Sequence, residues 1–114
     1  EKALYENPDS DLRTLWWDMV GKYQMLKRPS DRNKADWASK PHFTIAPVYY
    51  HNYMLGELFA AQIRKSIGKQ TGTNFGDEMK AKVFKPGASL KWQKFVEQAT
   101  GEPLSTKAFA EELK

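Results

Sequence analysis

The sequence has no cysteine, so disulfide scaffolds, thiolate zinc sites and cysteine nucleophiles are all excluded. No apolar run approaches the roughly 18 residues that span a bilayer, so we expect no membrane segment in this chain. No stretch alternates polar and apolar residues over several positions, and this absence argues against a β-sheet. The expected fold class is therefore all-α.

Neither basic nor acidic residues are in large excess. The chain has 18 Lys and Arg against 14 Asp and Glu, a formal charge of +4, and the lysines are scattered along its length. Such scatter is typical of a solvated surface, so we do not expect nucleic acid as a partner. Aromatic residues, by contrast, make up 13% of the chain, which indicates either a dense core or a surface that something else covers.

Apolar residues at helical spacing predict about five helices in a single segment, residues 1–114. The first is expected to begin at Asn7-Pro8-Asp9 and to end before Pro29, and the second to run from Pro47 to Ile67. The loop between them is expected to be held by Trp37. The apolar face of the first helix comprises Leu12, Leu15, Trp16, Met19 and Tyr23. One side of the second helix is lined by Leu55, Leu58, Phe59, Gln62, Ile63 and Ile67.

Three shorter helices complete this prediction. A Gly/Thr linker over 69–74 leads to the third, over 75–84, which ends at Lys85-Pro86-Gly87. Ser89 is expected to cap the fourth helix and Gly101 to follow it, and Ser105 is expected to cap the fifth.

The histidines are too few for a metal site in this chain. His42 and His51 are the only two, and no H-E-x-x-H helix or suitably placed acidic residue accompanies them. No nucleophile motif, phosphate-binding glycine loop or pair of catalytic carboxylates stands out either.

One polar aromatic cluster could bind a ligand. Pro41 disfavours helix at Lys40, so Lys40 and His42 are expected to alternate along an extended stretch and to project the same way. On the following helix, Tyr49 or Tyr50 would share a face with Tyr53. A lysine, an imidazole and two phenols together suit an anion or peptide carbonyls, although the tyrosines could equally serve only to pack.

Five segments, in order, resemble the angiotensin-converting enzyme family. They are Trp16-Trp17 with Lys22-Tyr23-Gln24; Lys40-Pro41-His42; Tyr50-His51-Asn52-Tyr53; the helix and loop over 79–83 and 85–89; and the Trp-bearing helix over 92–96. The resemblance spans nearly the whole chain. It implies a C-terminal piece of a larger helical zincin-type peptidase that releases dipeptides from the C-terminus of peptides.

The resemblance also implies roles for four residues. Lys40 and Tyr50 would bind the C-terminal carboxylate of the substrate, His42 would hold a backbone carbonyl near the scissile bond, and Tyr53 would stabilise the oxyanion. An ungapped register places Tyr49 and Asn52 at the two tyrosine positions. A one-residue insertion restores both phenols, and Tyr49 is the alternative for the carboxylate role.

The resemblance assigns the metal chemistry to residues outside this chain. The family's zinc helix and glutamate ligand lie upstream of the matching segments, so zinc is expected in the parent enzyme and the isolated chain is expected to be inactive. Asn52 stands where animal members have an arginine that helps to bind chloride, which makes chloride activation doubtful.

The expected partners are peptides with a free C-terminus and the N-terminal remainder of the same protein. The exposed cleft wall could also pair with a second copy. The parent could be periplasmic, secreted or membrane-associated. Two alternatives stay open: a helical protein-interaction module without catalysis, and a relative of the family whose upstream half has lost its zinc ligands.

Overall fold

The computed structural model describes residues 1–68 and 74–114, and in these ranges it contains helices and no strand. The all-α prediction is confirmed. The α-helices of the described ranges are α1 (Lys2–Glu6), α2 (Leu12–Gln24), α3 (Pro41–Thr44), α4 (His51–Ile67), α5 (Phe75–Met79), α6 (Trp92–Thr100) and α7 (Lys107–Glu112). A 3-10 turn spans Asp36–Ser39, and a π-helical turn, Lys80–Phe84, continues α5. Most of the predicted linker, residues 69–73, lies outside the described residues.

The chain forms two compact units, Glu1–His51 and Asn52–Lys114. Each of the five predicted helices has a counterpart, namely α2, α4, α5 with its π-helical turn, α6 and α7. The sequence did not predict α1 and α3, because helices of five and four residues are too short to show a periodic apolar face. The assignment of residues 1–114 to one domain stays a prediction.

Helix α2 begins later than predicted, at Leu12, because Asp11 is its cap. The Asp11 carboxylate accepts hydrogen bonds from the Thr14 backbone N–H at 3.1 Å and the Thr14 hydroxyl at 2.7 Å. Asn7, the predicted cap, instead accepts the Asp9 N–H on its side chain in a separate turn. The helix ends at Gln24, where Met25 adopts the left-handed conformation, before Pro29 is reached.

Asp36 fixes the loop that follows α2. Its carboxylate accepts a hydrogen bond from Arg32 Nε at 2.8 Å and one from Trp17 Nε1 at 3.1 Å. The bond from Arg32, with a smaller contribution from Trp17, lowers the pKa of the Asp36 carboxyl although partial burial opposes this effect. Trp37, the predicted anchor of the loop, is half-buried next to it.

We expect Asp36→Asn to lower the urea midpoint of unfolding at pH 7. Because the folded-state pKa of Asp36 is depressed, its stabilising contribution is present above the unfolded pKa and disappears as the pH falls below about 4. Urea titrations at pH 7 and pH 3 should therefore show the gap between wild type and variant closing at pH 3. Asp18→Asn, at an exposed position of α2, is the control, and a gap that persists unchanged at pH 3 would refute the role of the ionised carboxylate.

The second unit has its core between α4, α6 and α7. The fully buried apolar residues are Leu58, Ala61, Ile63 and Ile67 from α4, Val96 and Ala99 from α6, and Ala108 from α7. The rings of Phe59 and Phe95 meet edge to face, with centroids 5.6 Å apart. The predicted apolar face of the second helix therefore packs as a core.

Gln62 is the polar member of this core, with 1% of its surface exposed. Its side-chain Nε2 donates to the Thr100 hydroxyl at 2.9 Å and to the carbonyls of Glu102 and Pro103, each at 3.1 Å. Its Oε1 accepts from the Ser105 backbone N–H at 3.0 Å. One amide thus ties α4 to the connection between α6 and α7.

Two ion pairs on the surface join α7 to α4. Arg64 donates to Glu112 through Nε at 3.0 Å and Nη2 at 2.6 Å, and Lys65 lies 2.8 Å from Glu111. The bond from Arg64 lowers the pKa of the Glu112 carboxyl. Because surface ion pairs stabilise little, the burial of Ala108 contributes more to the packing of α7, and the Gln62 bonds fix the connection that precedes it.

No helix in ranges 1–68 and 74–114 combines the length and the apolar character that crossing a bilayer requires.

Candidate functional site

A cavity of about 410 Å³ lies in the first unit, among α1, α2, the 3-10 turn and α3. The predicted apolar face of α2 forms one wall, and Trp37, Phe43 and Tyr50 contribute further aromatic surface. Its charged lining residues are Glu1, Lys2 and Lys40. The cavity therefore combines a large apolar wall with a small number of polar groups, which is typical of a ligand site.

Lys40 is the cap residue of α3 and lies half-buried at this cavity. Its backbone is extended, with φ −85° and ψ 114°, as expected for a residue before proline. Pro41, however, starts a helix, so the predicted extended stretch from Lys40 to His42 is wrong. Proline suits the first helical position because its missing N–H would be unpaired there.

His42 consequently lies on the first turn of α3 and stacks with tyrosine rings. Its ring is nearly parallel to that of Tyr50, with centroids 4.6 Å apart and an angle of 8°, and a second parallel contact to Tyr49 has a centroid distance of 6.4 Å. The structure thus brings His42, Tyr49 and Tyr50 together, and it places both Lys40 and Tyr50 at the cavity.

Phe43 links this cluster to α2. Its ring meets Tyr50 edge to face at 5.9 Å and Trp16 at 6.3 Å. An edge-to-face arrangement satisfies the ring quadrupoles and restrains the rotamers of all three side chains. Tyr50 is therefore held from two sides, by His42 and by Phe43.

The second predicted helix begins at His51 and not at Pro47. Val48 has a positive φ of 57°, and its N–H is hydrogen-bonded to the Glu1 carboxylate. Tyr49 and Tyr50 therefore precede the helix, and the prediction that either shares a helical face with Tyr53 is wrong. Pro47 does not start the helix, because the next residue, Val48, adopts a left-handed backbone conformation instead of the helical one.

Tyr53 belongs to the second unit, on the first turn of α4, and is 56% exposed. That Tyr53 lies close enough to Lys40, His42, Tyr49 or Tyr50 to share a ligand with them stays a prediction.

Sequence reasoning missed the cavity and two of its walls. Phe43 carried no signal beyond its place after Pro41-His42, and Trp37 was assigned only to hold a loop. The face of α2 was predicted correctly, but the sequence assigned it no role: Val20 is its buried residue, and Leu12, Leu15, Trp16 and Met19 line the cavity with it.

In the part of the chain that the structure describes, no group of three or more His, Cys, Asp or Glu side chains could hold a metal ion.

Comparisons of the chain with protein-family models, with curated proteins and with solved structures gave no match.

Proposed function

We propose that this chain is the C-terminal substrate-binding wall of a zinc peptidyl-dipeptidase, which releases dipeptides from the C-terminus of peptides. One observation supports the proposal most: Lys40 and Tyr50, the residues proposed to bind the substrate carboxylate, line the same cavity. Lys40 is at a helix cap and Tyr50 is in a turn ten residues later, so their positions at one cavity do not follow from the spacing within a single helix.

The chemistry of this pair suits a peptide C-terminus. The lysine ammonium and the tyrosine hydroxyl are both hydrogen-bond donors, and neither of the described ranges supplies Lys40 with a carboxylate partner. The apolar wall beside them, built from Trp16, Phe43 and their neighbours, would take the side chain of the last residue. His42 would donate to a substrate carbonyl, and Tyr49 is the alternative to Tyr50.

The proposed metal chemistry does not arise in this chain. Zinc would supply an activated water, and its ligands would come from the N-terminal remainder of the parent protein, as the family resemblance implies. The contribution of this chain would be to bind the substrate and, through Tyr53, to donate to the oxyanion. We accordingly propose that the isolated chain is inactive and that the parent enzyme is not activated by chloride through the position of Asn52.

The test is Lys40→Met in the parent protein, assayed on a peptide with a free C-terminus and on the same peptide with a C-terminal amide. Losing a charge-assisted bond of about 1.5–3 kcal/mol should lower kcat/KM for the free peptide by roughly 10- to 100-fold. The amidated peptide, which lacks the carboxylate, should be affected much less.

Lys34→Met, at an exposed lysine of the same unit, provides the matched control. Equal losses on both peptides would contradict the carboxylate role of Lys40. A native protein that is free of zinc and cleaves neither peptide would favour the interaction module or the inactive relative instead.

A further inference from the structure

The lysines, although scattered over the whole chain, are concentrated in one part of the second unit. Residues 80–94 contain five lysines and no acidic residue. They begin in the π-helical turn, continue through the connection to α6 and end on the first turn of α6.

Large apolar side chains are exposed in the same segment. Phe84 is 66% exposed, Trp92 is 51% exposed and Leu90 is 39% exposed. Every residue from 87 to 94 is exposed. The connection is nonetheless ordered by hydrogen bonds, from the Gly87 N–H to the Val83 carbonyl at 3.4 Å and from the Ser89 N–H to the Pro86 carbonyl at 3.1 Å. We call residues 84–92 the lysine–tryptophan turn.

The two lysines of this turn, Lys85 and Lys91, differ from the neighbouring lysines in whether a carboxylate neutralises them. Lys80, Lys82 and Lys94 form ion pairs with acidic residues of their own helical segments, Asp77, Glu78 and Glu97. Lys85 and Lys91 have no carboxylate partner in ranges 1–68 and 74–114. The lysine–tryptophan turn therefore contains, within nine consecutive residues, two lysines without a carboxylate partner and three exposed apolar side chains.

We propose that the lysine–tryptophan turn docks on an anionic phospholipid surface. Trp and Phe are suited to the boundary between headgroups and acyl chains, and lysines near that boundary attract anionic headgroups. Lysine is depleted in the cores of protein interfaces, which argues against a protein partner. Single-stranded nucleic acid is disfavoured because Leu90 offers no ring for base stacking.

This surface belongs to the second unit and does not depend on the proposed peptidase role. Its attachment would be peripheral, with Phe84, Leu90 and Trp92 at the headgroup boundary and Lys85 and Lys91 beside the headgroups. Because part of the attraction is electrostatic, it should weaken as ionic strength rises.

The experiment measures partition of the 114-residue chain to vesicles of phosphatidylcholine alone and of phosphatidylcholine with phosphatidylserine at 7:3, by sedimentation. We expect binding to the mixed vesicles that weakens between 0.1 M and 0.5 M salt. Each removed lysine should cost roughly fivefold in the partition coefficient, so Lys85→Gln with Lys91→Gln should cost about 25-fold. Trp92→Ser should cost about tenfold through lost apolar contact.

The matched control is Lys27→Gln with Lys34→Gln, which removes the same charge from exposed positions of the first unit. Equal losses in both double variants would overturn the assignment to this surface, as would equal binding to vesicles without phosphatidylserine. Retention on single-stranded polyuridine in place of vesicles would assign the turn to nucleic acid. A mass of twice 13.1 kDa that Trp92→Ser abolishes would assign it to a second copy of the chain.

Discussion

Replacing Gln62 by alanine is expected to lower the free energy of unfolding by about 2–4 kcal/mol, the loss typical of breaking a buried hydrogen-bonded group and leaving a cavity. The side chain is 1% exposed, and its amide satisfies two backbone carbonyls and one backbone N–H in the connection from α6 to α7. The Pro103 carbonyl and the Ser105 N–H would be left without this partner, whereas the Glu102 carbonyl still accepts from the Thr100 hydroxyl at 3.0 Å. Urea unfolding of the chain, followed by circular dichroism, measures the change.

Gln62→Met separates the two contributions, because methionine fills much of the volume but forms none of these bonds. The Gln62→Met variant should remain destabilised, since the Pro103 carbonyl and the Ser105 N–H still lose their partner. Gln98→Ala, at an exposed position of α6, should change little. Wild-type stability in Gln62→Met would show that the volume of the Gln62 side chain, and not its hydrogen bonds, stabilises this part of the core.

Gln62 also illustrates how far sequence reasoning reached. The helical period placed it on the same side as Leu58 and Ile63, and that side is the core of the second unit. The period could not reveal its partners, which lie 38 to 43 residues away along the chain. A polar residue on an apolar helix face predicts a buried hydrogen bond, but it does not identify the partner.

Helix ends were harder to predict than helix faces. Gly68 and Gly101 follow the ends of α4 and α6, as predicted. The beginnings moved: Asp11 caps α2 in place of Asn7, and α6 begins after Lys91, which makes no capping hydrogen bond with its side chain, so Ser89 is not its cap. Which candidate becomes the cap depends on where the preceding turn closes, and the local pattern of residue types does not show that.

The sequence predicted that Lys40 and Tyr50 would lie near each other, but it did not predict the geometry that places both at one cavity, and their binding role stays a prediction. Lys40 and Tyr50 do lie at one cavity, but through a helix that starts at Pro41 and a turn at Val48 that the sequence did not predict. The cavity itself depends on how α1, α2 and α3 pack, which no periodic pattern specifies. Its aromatic walls were visible in the sequence only as a high aromatic content.

Replacing Tyr53 by phenylalanine in the parent protein is expected to lower turnover by roughly 10²- to 10³-fold, the usual loss on removing one oxyanion donor. The ring would remain and only the hydroxyl would be lost, so KM should change far less than kcat. This split follows because the proposed bond forms with the charge that develops in the transition state, not with the ground-state carbonyl. Steady-state kinetics on a peptide with a free C-terminus measures both parameters.

The same substitution at the other two tyrosines resolves which of them binds the carboxylate. Tyr50→Phe should raise KM if the gapped register is right, whereas Tyr49→Phe should do so in the ungapped one. Tyr5→Phe, at a side chain that is 62% exposed in the first unit, should leave both parameters unchanged. Unchanged turnover in Tyr53→Phe, or a rise in KM alone, would remove Tyr53 from the catalytic role, because an oxyanion donor must act on the rate of the chemical step.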